Sequence, residues 1–319
     1  MVTYRTFRNT DPPVLTALWR SRAGQPGLMQ PVSCDLLEQL VFARLYFDYA
    51  GLVVAWEDGR PVGFAHAGLG PNETRDRISA ECGVVCLILV RPDCTDPAVA
   101  EGLLQYCEQY LQRRGTKVVY GGGIQPLSPF YLGLYGGSEL PGVLDSDVVA
   151  RQLFAAHGYQ EIDRTLVMRR ELSGFEALVD RRQMEIRRRM IVEVTVDPPS
   201  RTWWEACTLG EFDLTRFAVV PRGGGSPAAW AVFRNMQPTG SGGIGRAAGL
   251  LELQVAEAFR RRGLAVFLLS EIFRRFLREG IMLVEVQATQ HNVAGVGLFR
   301  KLGFQQTDQG TVFRKEGMG

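Results

Sequence analysis

Three arginines and a glycine, Arg260-Arg-Arg-Gly263, separate an apolar run from an amphipathic one, and this junction limits what the chain can fold into. Residues 250–255 are apolar enough to form an inner strand. From 266 to 279 the spacing predicts a helix. Ala265, Leu269, Ile272, Phe273 and Phe276 fall on one side, and Glu271, Arg274, Arg275, Arg278 and Glu279 on the other. A basic turn thus opens a helix. The first N–H groups of a helix are unpaired and carry positive partial charge, so such a turn suits a phosphate. Gly263 has no side chain to keep an anion from the backbone, and guanidinium forks match phosphate oxygens. A solvated basic turn is the competing reading of the same four residues.

Spacing decides between the two. Val255, Arg260, Gly263 and Ala265 fit Val-x4-[Arg/Gln]-x-x-Gly-x-[Gly/Ala]. One helix and one strand later, Asn292, Leu298, Phe299, Lys301, Gly303 and Phe304 fit Asn-x5-Leu-[Tyr/Phe]-x-Lys-x-Gly-Phe. The first pattern resembles the acyl-CoA signature of the GNAT acetyltransferases, and the second resembles their closing helix and turn. The resemblance implies an α+β fold, a mixed and mostly antiparallel sheet flanked by helices.

The rest of the composition narrows the setting. A chain of 319 residues has length for two domains and two cores. A net charge of +2 gives no ground to expect a nucleic acid or a membrane surface as partner, although arginines cluster at 181–189 and 260–262. The longest apolar run, 82–90, is far too short to span a bilayer. The first residues show no apolar segment of a secretion signal. Cys34, Cys82, Cys86, Cys94, Cys107 and Cys207 form no Cys-x-x-Cys pair, the usage of reduced thiols in a cytoplasmic protein. His66, His157 and His291 lack ligand-spaced partners, so no metal is expected.

Read in order, the first half repeats the plan of the second. Residues 2–9 predict a strand, Asp11-Pro-Pro starts a helix through Leu15, Leu18 and Trp19, and Ser33 or Asp35 caps another running to Leu45. Strands at 51–57 and 62–69 flank a hairpin turn, and 83–90 is a long buried strand. A helix then runs from Asp96-Pro97 to Gly115, with a strand at 117–120. Val90 precedes Gly115 by 25 positions, and Val255 precedes Gly280 by 25. Asp147, Leu153-Phe154 and Gly158-Tyr159 lie 145 positions before Asn292, Leu298-Phe299 and Gly303-Phe304. An insertion around 128–142, with Tyr131 and Tyr135, lengthens the first copy. The chain is thus expected to be two tandem GNAT folds, a plan similar to that of mycothiol synthases, divided as 1–172 and 173–319.

The copies differ where chemistry is expected. Thr95, Ala98 and Ala100 stand where the later copy has Arg260, Gly263 and Ala265. Asp96 and Pro97 make a good helix start. However, the carboxylate opposes an anion at the positive helix end, and proline removes an N–H donor. The first copy is therefore expected to be degenerate, a scaffold able to fold alone. The later copy is short at its front. A helix from 175 to 189, five of its residues arginine, reads as a solvated face, Trp203-Trp204 opens one modest helix, and strands follow at 216–220 and 228–236. Flexible loops are expected at 221–227 and 239–245.

For this later copy the resemblance implies transfer of an acetyl group from acetyl-CoA, as co-substrate, to an amine of a small molecule or peptide. It implies CoA contacts at Leu253, Val255, Arg260, Arg261, Arg262, Gly263, Leu264, Ala265, Asn292, Phe299 and Lys301, in a gap between the strand ending at Val255 and the strand 283–288. The N–H of Val255 or Ala256 is the family's donor to the oxyanion. A base must take the amine proton. Glu252, inside the central strand, is the first candidate for it, with Glu205, Glu257, Glu285 and His291 as rivals. A tyrosine often stands where this chain has Phe299, which cannot donate a proton to the departing sulfur. That departure leaves a non-catalytic acyl-CoA sensor as the alternative. The acceptor and the oligomeric state are not written in the sequence.

Overall fold

The computed structural model describes residues 1–177, 180–236 and 246–317. The first repeat runs β1 (Val2–Thr6), α1 (Pro12–Arg20), α2 (Cys34–Leu37), β2 (Leu52–Glu57), β3 (Arg60–Pro71), β4 (Ile78–Val90), α3 (Pro97–Arg113) and β5 (Val118–Gly121). It continues through α4 (Leu132–Tyr135), β6 (Val143–Leu144), α5 (Val148–Ala156) and β7 (Gln160–Glu171). The second repeat runs α6 (Arg181–Arg189), β8 (Met190–Val196), α7 (Trp203–Leu209), β9 (Leu214–Pro221) and β10 (Ala229–Met236). It closes with β11 (Arg246–Val255), α8 (Leu264–Arg278), β12 (Ile281–Thr289), α9 (Val293–Lys301) and β13 (Gln305–Glu316). Among the described residues no helix is long and apolar enough to cross a membrane.

The two compact units are not the contiguous segments 1–172 and 173–319. The first unit holds 1–165, 201–210 and 308–319, and the second holds 166–200 and 211–307. In the first, strands follow in the order β1-β2-β3-β4-β5-β13; in the second, β7-β12-β11-β10-β9-β8. Neighbours are antiparallel in most pairs, and β4–β5 and β11–β12 are parallel. Each sheet therefore takes its last strand from the other repeat. The side chains explain the exchange. On β13, Phe313 is buried against Phe154, with ring centroids 5.7 Å apart, and Lys315 meets Glu108 at 2.8 Å. On β7, Leu166 and Met168 join the core of the second unit.

Local signals account for most helices. Pro12 and Pro13 occupy the first turn of α1, and Asp96 and Pro97 begin α3. Phe217 and Phe233 meet Phe276 of α8 edge to face at 5.8 and 5.1 Å, which fixes α8 on one face of the second sheet. Burial of each such ring contributes about 1.5–3 kcal/mol.

Three expectations are corrected. Ser33 caps α2, but the helix lasts four residues before a wide turn at Glu38–Phe42, and Leu45 is exposed. The arginine helix begins at Arg181, capped by Asp180, because Phe175 leaves the helical path to pack on Phe273. The Trp203-Trp204 helix folds into the first unit: Trp204 Nε1 donates to Pro126 O (2.9 Å) and its ring lies 5.0 Å from that of Tyr46. Strand β8 was not expected at all. Loop 221–227 is a described turn, whereas 239–245 lies outside the described residues.

Candidate active site in the second unit

Strands β11 and β12 pair from Arg246↔Ile281 to Gly249↔Glu285, where the ladder ends. Past that point residues 250–255 and Gln287 line a cavity of about 610 Å³. On its other edge β11 slips register, with Val232 facing Glu252 and Phe233 facing Leu250. Leu251 is thus an extra residue, with no partner on either neighbouring strand. The Ala256 N–H is engaged, donating to Ala228 O at 2.9 Å.

At one end the cavity reaches the basic turn. Arg261 and Gly263 both have left-handed backbone, with φ of 59° and 85°. Gly263 is the residue before α8, and no side chain caps the helix. The first N–H groups of α8 are therefore left to a ligand. The left-handed φ favours glycine at 263, and a Cβ there would press on side chains of α6, 3.0 Å from Arg182 Cδ and 3.2 Å from Gln183 Nε2. Helix α6 is held there by Gln183, whose Nε2 donates to Gly263 O at 3.4 Å.

Of the residues implied by resemblance, Leu253, Val255, Arg260, Arg261, Gly263, Leu264, Ala265, Asn292 and Phe299 line this cavity, as does Glu252. Arg262 does not, its guanidinium lying 5.9 Å from the Phe259 ring centroid, nor does Lys301, exposed in the last turn of α9. Asn292 caps α9 by accepting from Gly295 N at 2.9 Å. Phe299 is buried, packed on Phe304. One lining residue escaped the sequence reading, Gln287 of β12, and α6 places the Arg182 stem against the turn without lining the cavity. Gln183 and Ile186, three positions apart inside the arginine run, are the sequence signal that one face of α6 is covered.

The candidate bases separate clearly. Glu252 Oε1 accepts from Trp230 Nε1 at 3.1 Å. Glu285, on β12 where pairing with β11 ends, is fully buried and meets Arg169 Nε at 2.8 Å. Glu205 belongs to the first unit and pairs with Arg201, while Glu257 and His291 are exposed on turns.

The matching place in the first unit is closed. Strands β4 and β5 pair from Cys82↔Val118 to Val85↔Gly121, as their counterparts do. The cavity beyond measures only about 90 Å³, narrowed by residues 25–28 and by Tyr131 and Tyr135 of the insertion. At the start of α3 the Asp96 carboxylate accepts from Ala98 N at 3.0 Å, occupying the helix end that Gly263 leaves open.

Two family profiles match the sequence, that of the acetyltransferase (GNAT) family over residues 19–125 and that of the FR47-like proteins over 245–313. No curated protein matches the chain in sequence. Solved structures share the whole arrangement at low identity. A tandem GNAT protein from the clavulanic acid biosynthesis pathway is 14% identical with a TM-score of 0.68, over 100% of this chain and 99% of its own. A GCN5-related N-acetyltransferase from Sphaerobacter thermophilus is 18% identical with a TM-score of 0.63, over 99% and 95%. A GCN5-related glucosamine N-acetyltransferase region of a fungal multi-domain GH3 β-N-acetylglucosaminidase gives 15% and 0.72, over 99% of this chain and 38% of that one. At these identities the likeness is one of fold. Each repeat thus carries a profile match, the GNAT family's on the first and the FR47-like proteins' on the second, and the chain has the tandem GNAT fold. The matched GNAT family is one of acetyltransferases.

Proposed function

We propose that the second unit transfers an acetyl group from acetyl-CoA to the amine of a small molecule or peptide. The observation that carries this reading is the continuous cavity between the splayed ends of β11 and β12, which reaches the uncapped N-terminus of α8 at Gly263. An elongated donor with a phosphate end and a reactive tip fits that shape. Arg260, Arg261 and the first N–H groups of α8 hold the phosphates, and the strand edges of 250–255 hold the arm. Glu252 takes the proton of the incoming amine, and the unpaired peptide at Leu251 offers a donor to the carbonyl oxygen. Six free cysteines fit a reducing, cytoplasmic setting.

Phe299 supports the alternative, an acyl-CoA-binding sensor, because it puts no proton donor beside the departing sulfur. Release of free CoA from acetyl-CoA, followed with a thiol reagent in the presence of mixed amines, decides between the two. Amine-dependent release that is lost in Glu252→Gln, with CoA affinity kept, supports the enzyme. Tight binding without release supports the sensor. Failure to bind CoA defeats both.

A further inference from the structure

On the sheet face away from α8, Glu252 of the cavity wall continues into a polar strip. Ala229, Ala231 and Phe233 of β10 point into the core with α8, so Trp230 and Val232 occupy the opposite face. Val232 is in register with Arg216 of β9 on one side and with Glu252 of β11 on the other. The contacts confirm that these side chains share the face. Trp230 Nε1 donates to Glu252, and the Arg216 guanidinium stands over the Trp230 ring, 5.6 Å from its centroid. A strip therefore runs Glu252, Trp230, Arg216, beginning at the cavity wall.

Glu252 and Arg216 stand at the two ends of the strip with Trp230 between them and form no ion pair with each other. Arg169 is neutralised by the buried Glu285, and Arg234 is buried against Phe212 at 4.9 Å. Arg216 is half-buried, and among the described residues its one side-chain partner is an uncharged ring. A partly desolvated guanidinium that makes no ion pair among the described residues, with Glu193 only diagonal to it on β8, is a strong place for an anion, and an aromatic floor favours a flat or extended apolar linker. Two strand spacings separate Arg216 from Glu252, roughly 9–10 Å between backbones.

We infer that the acceptor is an amine that also carries a carboxylate, with the amine delivered to Glu252, the carboxylate held by Arg216, and the linking chain lying across Trp230. This deepens the acyltransferase reading and rests on it. Allowing hydrogen-bond length at each end, the strip suits a linker of about four to six bonds between nitrogen and carboxyl carbon. The transfer itself is balanced: the amine nitrogen bonds to the acyl carbon, the carbon–sulfur bond breaks, and Glu252 removes one proton from nitrogen while the sulfur leaves as thiolate.

The test compares ω-amino acids from glycine to 8-aminooctanoate with unbranched alkylamines of equal length, as acceptors for acetyl-CoA. The wild-type protein and Arg216→Met, which keeps the stem over Trp230, are assayed together. We expect kcat/KM to peak in the middle of the amino-acid series. Arg216→Met should lower it at least about tenfold there, through KM, and leave alkylamines unchanged. Equal use of alkylamines and amino acids by the wild type overturns the inference, and so does an equal loss on both series in the variant. Turnover of either series leaves the acyltransferase reading standing. No turnover with any amine removes that reading, and the inference with it.

Discussion

Asp147 and Asn292 cap α5 and α9 through the same hydrogen bond, Asp147 Oδ1 accepting from Ala150 N at 3.1 Å and Asn292 Oδ1 from Gly295 N at 2.9 Å. The two residues stand 145 positions apart and differ by one charge. Each lines the cleft of its own unit. The repeat thus kept the cap and changed the electrostatics of the space beside it.

That difference predicts a stability effect. Burial pushes the Asp147 carboxyl above its ordinary value, more strongly than the Ala150 N–H, Arg22 and Gln25 pull it down. The folded protein then holds the proton more tightly than the unfolded chain does. Stability from this group is present below the unfolded value near 3.9 and is lost as pH rises through the folded one. Asp147→Asn, which keeps the cap as Asn292 does, should melt above the wild type at pH 7. The gap should narrow toward pH 4. Thermal melts across that range check it, and a variant that melts lower at pH 7 would refute the argument.

The turn at Gly263 gives another prediction. CoA should bind once per chain, and at a hundredfold its Kd should stabilise the protein by about 2.7 kcal/mol. Gly263→Glu places a side chain against Arg182 and Gln183 and a negative charge at the helix end, so binding should be abolished. Arg182→Met should weaken CoA by roughly tenfold, the worth of one charge-assisted contact, and leave pantetheine, which lacks phosphate, unaffected. Calorimetric titration reads all three. Two equivalent sites, or normal binding by Gly263→Glu, would move the donor site elsewhere.

Exchange of the last strands predicts how fragments behave. Residues 1–172 lack β13, and with it Phe313 against Phe154 and Lys315 against Glu108. Residues 173–319 lack the half of β7 that brings Leu166 and Met168 to the core. Losing a buried phenylalanine alone costs about 3–5 kcal/mol, a large part of a domain's stability. The first half is therefore not expected to fold by itself, contrary to what its sequence suggests. Neither fragment should melt cooperatively alone, and co-expressed fragments should co-purify. A cooperative melt of isolated 1–172 would count against the exchange.

Much of this was legible because the signals are local. The strand, turn and helix around Gly263 follow from hydrophobic period and one glycine, and the caps at Asp96, Asp147 and Asn292 follow from residue type at a helix start. What failed was non-local. Nothing near β7 or β13 states which repeat each will pair with, since either sheet offers an alternating partner. Trp203-Trp204 read correctly as a helix start, yet the pocket formed by Tyr46 and Pro126 lies in the other repeat of the sequence. The arginines of α6 hid the place of Arg182, because only the distant Gly263 puts it beside the turn.

The last prediction concerns His66, which the functional reading leaves aside. It is fully buried, with Nδ1 3.0 Å from the Tyr131 hydroxyl, and burial holds its pKa down to about 3. In the unfolded chain the value is near 6.5, so acid protonates the unfolded state first. Stability should fall as pH drops below that value, by about 1.4 kcal/mol per unit, until pH nears 3. His66→Phe removes this titration. It also removes a partner from Tyr131, but burial raises that hydroxyl well above its ordinary value, so the loss is a constant offset over this range. Relative to the variant, the wild type should lose about 2–3 kcal/mol between pH 6.5 and 4.5. Urea unfolding at several pH values measures the difference, and parallel curves for the two proteins would show that His66 titrates in the folded protein as it does in the unfolded chain.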